Sequence, residues 1–171
     1  PMPQWQEPGE YLGNARAGQV HVVSPHPYWR LHSQMNNSER LRKRYTVQTR
    51  EPLTISVEDA KARGIQDGDL VELYNNRGAV VVGARVSDKI MPGVVSLYEG
   101  AWPQLDSKGR CNNGLINFLT SSRRSSGLTQ ATTANTCIAS IRKCTDADPG
   151  GTKAFEPPKV VPSKITFDEK F

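Results

Sequence analysis

The chain has no apolar run near the roughly 20 residues that a helix needs to cross a bilayer, so no membrane span is expected in it. Aromatic residues make up only 7%, and no RNP-like aromatic motif, zinc finger or helix-turn-helix signal occurs. A nucleic-acid partner is therefore not expected. Cysteine is scarce: Cys111, Cys137 and Cys144 are too few and too unevenly spaced for a disulfide framework. Without a Cys-x-x-Cys there is no zinc or iron–sulfur ligand set either. A Walker A loop, Gly-x-Gly-x-x-Gly and Gly-x-Ser-x-Gly are all missing. Serines could pair with His26 or His32, but no nucleophile elbow or orienting acid accompanies them, which argues against a self-contained hydrolase. The start, Pro1-Met2-Pro3-Gln4-Trp5-Gln6-Glu7-Pro8, has no basic n-region and no apolar h-region. It reads as a cut through a longer protein and not as a signal peptide.

What is present suits one domain with its own core: 171 residues, 36% apolar and 23% charged. Glycine (14) and proline (12) are spread along the chain, as in a fold of many short elements joined by turns. The clearest local structure runs from Glu51 to Val86. Pro52-Leu53-Thr54-Ile55 alternates as a strand, and Ser56-x-x-Asp59 resembles a capping box opening a helix from Val57 to Arg63. Gly64 supplies the left-handed stop. Asp67-Gly68-Asp69 is a tight turn whose carboxylates satisfy turn amides, in preference to holding a metal. Leu70–Tyr74 and Ala79–Val86 form a hairpin around Asn75-Asn76-Arg77-Gly78. A further strand spans Val94–Tyr98, and Cys137–Arg142 closes the set. The expectation is a mainly β chain with short helices, a small barrel over residues 1–145, followed by an extended tail over 146–171.

Chemistry concentrates in two places. Ser24-Pro25-His26-Pro27-Tyr28-Trp29-Arg30-Leu31-His32-Ser33-Gln34 packs two histidines, an arginine, a serine and an amide into eleven residues. Its prolines fix their own φ and push the preceding residues into extended backbone, so the polar groups are presented from a stiff segment. From Ser121 to Thr136 the chain is dense in Ser, Thr, Asn and Gln, interrupted by Arg123 and Arg124. Dispersed polar groups on the loops of a β scaffold are what a binding module for a large polar cofactor needs. The net charge of +5 and the cluster Arg40, Arg42, Lys43 and Arg44 suit an anionic partner, although such a run also serves as a solvated face.

Several blocks then fall in an order that resembles the DMSO/TMAO reductase family of molybdenum enzymes. They are Pro25-His26-Pro27-Tyr28-Trp29-Arg30-Leu31-His32-Ser33-Gln34, Glu58-Asp59-Ala60 through Asp67-Gly68-Asp69, Asn75-Asn76-Arg77-Gly78, Met91-Pro92-Gly93-Val94 with Tyr98-Glu99-Gly100-Ala101-Trp102, Asn117-x-Leu119-Thr120, and Leu128-Thr129-Gln130-Ala131. The resemblance covers about residues 5 to 145. It implies a six-stranded double-psi β-barrel of the aspartate decarboxylase-like kind. It also implies one wall of the site for a bis(molybdopterin guanine dinucleotide) molybdenum cofactor. By matching position, His26, His32, Ser33 and Gln34 face the pterin or its phosphates, and Asn117, Gln130 and Thr133 supply further bonds. Arg30 either reaches a phosphate or braces the loop from behind. Departures occur at Ser122–Gly127 and in a short loop after Trp102, which leaves Arg123 and Arg124 either on phosphate or in solvent. The molybdenum ligand and most of the substrate funnel belong to upstream domains of such enzymes, so the chain by itself is expected to be inactive. The resemblance further implies reduction of N- or S-oxides by oxygen-atom transfer, a respiratory electron donor and a periplasmic location. Two rival readings remain: a basic β-barrel interaction module, and the terminal domain of a formate dehydrogenase or nitrate reductase.

Overall fold

A computed structural model describes residues 2–133, 135–148 and 151–156. Six strands, β1 (Gln19–Val23), β2 (Pro52–Ser56), β3 (Leu70–Tyr74), β4 (Ala79–Ser87), β5 (Val94–Leu97) and β6 (Cys137–Lys143), close into a barrel in the order β1-β5-β2-β4-β3-β6. Two neighbouring pairs, β1·β5 and β2·β4, are parallel and the other four are antiparallel. Parallel neighbours cannot be joined by a tight turn, so the chain crosses over between them. This is the six-stranded double-psi barrel that the sequence resemblance implied.

Alternation along the strands fills the interior. Val20 and Val22, Leu53 and Ile55, Val71 and Leu73, Val80 and Val82, Val95 and Leu97, and Ala139 and Ile141 all belong to one buried cluster. Burial of this apolar surface, at about 25 cal/mol per Å², is the main stabilising contribution. Closure removes the unpaired edges that an open sheet would expose. Ile116 and Leu119, on and beside the 3-10 turn Ile116–Phe118, extend the same cluster.

The local signals act as their chemistry requires. Ser56 caps the helix Val57–Ala62, its Oγ accepting from the Asp59 amide at 3.0 Å. Asp59 Oδ2 in turn accepts from the Gly93 amide at 2.6 Å, tying the helix start to the turn before β5. Asp67 and Asp69 accept from the Val86 and Gln66 amides, so both turn carboxylates serve backbone. A strand, a helix and the short 3-10 turn Leu12–Asn14 stand where the sequence reading placed no element. β1 was readable, since Gln19-Val20-His21-Val22-Val23 alternates. The helix Glu39–Tyr45 has little apolar periodicity to betray it. That helix carries the basic cluster, and it breaks it up: Arg42 is only 4% exposed, donates to the Thr49 carbonyl and lies 4.2 Å over the Phe155 ring. The four basic side chains do not share one outward face, which weakens the interaction-module reading.

The stretch expected to be a tail partly returns to the barrel. Asp148 O accepts from Arg50, Gly151 O accepts from Asn112, and Thr152 is buried. Residues 149–150 and 157–171 of that expectation lie outside the described residues.

Candidate functional site

Strand direction decides which loops meet. With β1 parallel to β5 and antiparallel to β6, and β2 parallel to β4, one end of the barrel collects the C-termini of β1, β3 and β5 and the N-termini of β2, β4 and β6. The segment after β1, the Glu99 region after β5, the 3-10 turn at Asn117 and the 121–136 loop before β6 all belong to that end. Every site residue expected from the sequence therefore lies at one mouth.

The first lip is the segment 24–38. His26, His32, Ser33 and Gln34 are exposed on it. Arg30 points the other way and is 6% exposed. Its guanidinium pairs with the fully buried Glu51 at 3.0 Å, and donates to the His32 carbonyl at 3.0 Å and the Glu99 carbonyl at 2.5 Å. Of the two roles left open for Arg30, the geometry is that of the brace. Burial pushes the Glu51 carboxyl up, against the opposing pull of Arg30. Asn36 donates to the Ser33 and Gly100 carbonyls, and Trp102 Nε1 donates to Ser33 as well. His32 is held at φ +49, unusual for a residue with a side chain. Gly100, at φ +76, lies so close beneath that an added Cβ would meet the His32 carbonyl at 2.5 Å.

On top of this brace sits a triad that the sequence did not reveal. His26 Nδ1 and His32 Nδ1 both bond Glu99 Oε1, at 2.7 and 2.5 Å, and the two rings meet edge to face with centroids 4.6 Å apart. Partial burial pushes the Glu99 carboxyl up, but the two imidazole bonds outweigh it and hold the group below the ordinary range. All three ligand atoms lie within 4.8 Å of one another, near enough to suggest a cation. Nitrogen-to-oxygen distances of 2.5 and 2.7 Å are those of hydrogen bonds, however. Two donors of a tetrahedral zinc would stand about 3.3 Å apart.

The second lip is the 121–136 loop. Asn117, Ser121, Arg123, Arg124, Gln130 and Thr133 line a cleft of about 350 Å³. The structure thus brings the three second-lip residues expected from sequence together, and adds both arginines. Thr133 Oγ1 donates to the Arg123 carbonyl at 2.8 Å, and the Arg124 guanidinium donates to the Gln130 side chain. Asn135 links the lips: its Oδ1 accepts from the Ser24 amide at 2.7 Å, and its carbonyl bonds His21 Nε2 at 2.7 Å. Beside this cleft, Arg77 pairs with both oxygens of Glu10, and Glu10 also accepts from the Ile138 amide.

The mouth therefore offers amides, hydroxyls and imidazoles for neutral ring edges, with guanidiniums for anions. Ser24 Oγ and Asn36 Oδ1, both buried on the first lip, have no hydrogen-bond partner among the described residues. That donor set fits a polar heteroaromatic nucleotide. Among the described residues no helix is long and apolar enough to cross a membrane.

Comparison with known proteins bears on the same residues. Residues 20–138 match the Molydopterin dinucleotide binding domain family. The chain is 44% identical over 165 residues to the trimethylamine-N-oxide reductase of Haemophilus influenzae, covering 93% of this chain and 20% of that protein. It is 43% identical over 162 residues to the dimethyl sulfoxide/trimethylamine N-oxide reductase of Cereibacter sphaeroides, covering 92% of this chain and 20% of the relative. The chain thus spans about a fifth of the length of these curated relatives. Among solved structures, acetylene hydratase from Pelobacter acetylenicus superposes with a TM-score of 0.63 at 11% identity, over 84% of this chain and 21% of that one, a likeness of fold.

Proposed function

The chain belongs to the molybdopterin dinucleotide-binding domain family, and from that premise we propose that it forms one wall of the cofactor site in a molybdenum oxidoreductase that reduces N- or S-oxides. The cofactor we assign is bis(molybdopterin guanine dinucleotide). The observation that carries the reading is the convergence of two separate polar blocks, 24–34 and 117–133, at one mouth of the barrel. Such a cofactor, when bound, supplies the two-electron oxygen-atom chemistry. This chain's residues do the holding. Asn117, Gln130 and Thr133 suit ring edges and sugar hydroxyls, Arg123 and Arg124 suit pyrophosphate, and His26, His32, Ser33 and Gln34 face the cofactor from the other lip. Arg30 acts through the backbone of that lip.

Identity above 40% to N-oxide reductases favours oxide reduction over formate or nitrate chemistry. The upstream domains, the respiratory electron donor and a periplasmic location are part of the same proposal. Amide NMR of the labelled chain with extracted molybdopterin guanine dinucleotide tests it, with GMP, AMP and a short RNA as comparisons. Shifts at Ser33, Asn117 and Gln130 with the dinucleotide and not with AMP are expected. A folded chain that ignores the dinucleotide at millimolar levels but responds to RNA around Arg40 and Arg44 overturns it.

A further inference from the structure

The unassigned residue at the mouth is Glu99. A carboxylate oxygen only accepts hydrogen bonds and carries two lone pairs, so Oε1 can take both imidazole N–H groups at once. Each neutral imidazole that donates through Nδ1–H is left with a bare Nε2 on its opposite edge. The His26 and His32 side chains are 75% and 59% exposed while Glu99 is 30% exposed, so those outer edges are the free ones. The edge-to-face packing at 4.6 Å keeps the two rings adjacent. Arg30 holds the Glu99 and His32 carbonyls together from below, which fixes the carboxylate's own backbone against the lip.

We propose that Glu99 is a positioning residue which sets the tautomer of both His26 and His32, presenting two adjacent Nε2 acceptors to the N–H and amino donors of the pterin ring edge. The assignment of pterin rests on the functional reading above; the clamp itself does not. A pyrophosphate has only acceptor oxygens, so it offers this pair no proton. It also meets the negative charge of Glu99. The arginines of the second lip, and not these histidines, are the match for phosphate. The two lips then differ in chemistry: the first presents acceptors to the pterin's donor edge, and the second adds guanidiniums for the anion beside groups for other ring edges and sugar hydroxyls.

Nitrogen NMR of the imidazoles in the 171-residue chain reads the tautomers directly. The expected result is a proton on Nδ1 and none on Nε2 of both His26 and His32, the Nδ1 proton being lost in Glu99→Ala and regained in Glu99→Gln, whose carbonyl keeps an acceptor. Protonated Nε2 atoms overturn the acceptor assignment. Backbone amide spectra of the three proteins check that the fold is common to them. Free pterin is expected to shift both Nε2 resonances while inorganic pyrophosphate leaves them in place. Glu99→Ala should weaken pterin binding about tenfold, the loss of about one well-oriented neutral hydrogen bond. Bare Nδ1 atoms in the parent chain overturn the clamp. So does an Ala variant with unchanged tautomers and unchanged pterin affinity. Pyrophosphate moving the Nε2 resonances overturns the donor-edge assignment. If the tautomers are as expected but neither pterin nor dinucleotide binds, the functional reading and the assigned ligand fail and the clamp survives. If the dinucleotide binds and the tautomers are wrong, only this inference fails.

Discussion

The two lips of the mouth are built on different physics. The 24–38 segment is anchored from beneath by a buried ion pair, Arg30 with Glu51, by Asn36 on two carbonyls, and by Gly100 pressed against the His32 backbone. The described residues of the 121–136 loop are exposed almost throughout, and the loop is held by its own hydroxyls, Ser125 and Ser126 bonding Thr129 and Thr133 bonding Arg123. Buried charge cannot easily exchange its partner for water, whereas surface hydroxyls exchange theirs at almost no cost. The first lip is thus a preformed wall. The second has the makings of an adaptable cover, the kind of low-stability element from which binding loops are drawn.

The largest test of this contrast removes the brace. Arg30→Ala leaves Glu51 buried and unpaired and should destabilise the chain by about 3–5 kcal/mol, read as a lower denaturation midpoint. Thr129→Ala on the second lip should stay within about 0.5 kcal/mol. Equal losses would mean that the lips are not differently built.

Gly100→Ala strains the same wall through backbone alone. With φ at +76 and the His32 carbonyl 2.5 Å from the new Cβ, the expected cost is about 1–3 kcal/mol, with amide shifts concentrated at His32 and Ser33. Gly127→Ala meets nothing within 4 Å and should leave stability within a few tenths of a kcal/mol.

Limited trypsin treatment sharpens the contrast kinetically. Arg123 and Arg124 are exposed on the second lip, Arg30 and Arg42 are buried. Cleavage after Arg123 or Arg124 should precede cleavage at Arg30 by on the order of tenfold or more, as read by mass spectrometry. Slowing of the Arg123 and Arg124 cuts by the dinucleotide would tie the loop to the ligand. First cleavage at Arg30 would contradict the wall.

Acid provides the smallest and most selective probe. Burial raises the Glu99 carboxyl, but its two imidazole partners hold it below the ordinary range, and Asp106 is held low in the same way by Arg110 and backbone amides. A carboxyl lowered on folding stabilises the fold fully above its unfolded value of about 4, and that contribution is lost as pH falls through the lower folded value. The 121–136 stretch contains no Asp or Glu. Protection of the His32 to Asn36 amides, relative to their intrinsic exchange rates at each pH, should therefore fall below about pH 4 before any pH-driven loss inside 125–133. A simultaneous change in both would show that the lips are coupled more tightly than Asn135 alone provides.

Much of the barrel was legible because its signals are short. Val71 and Leu73, Val80 and Val82, the Ser56 cap, the Gly64 stop and the Asp67–Asp69 turn each act over a few residues, and each formed where the spacing placed it. β1 carries its own alternation in Gln19-Val20-His21-Val22-Val23, a five-residue signal directly before the polar Ser24–Gln34 block. The helix Glu39–Tyr45 was not legible, since burying Arg42 depends on Thr49 and Phe155 and not on an apolar stripe.

By itself the sequence determined the strand-forming segments, their turns and the two polar blocks, because alternation, capping and positive-φ glycine operate within the reach of a few bonds. It also carried the family, through blocks kept in order along the chain. Only the tertiary structure decided that Arg30 faces inward and that Glu99 joins both histidines. Those partners stand 73 and 67 residues away in sequence, and parallel pairing of β1 with β5 is what brings them together. No local pattern encodes such a meeting, because it exists only once the barrel has closed and both strand ends open onto the same mouth.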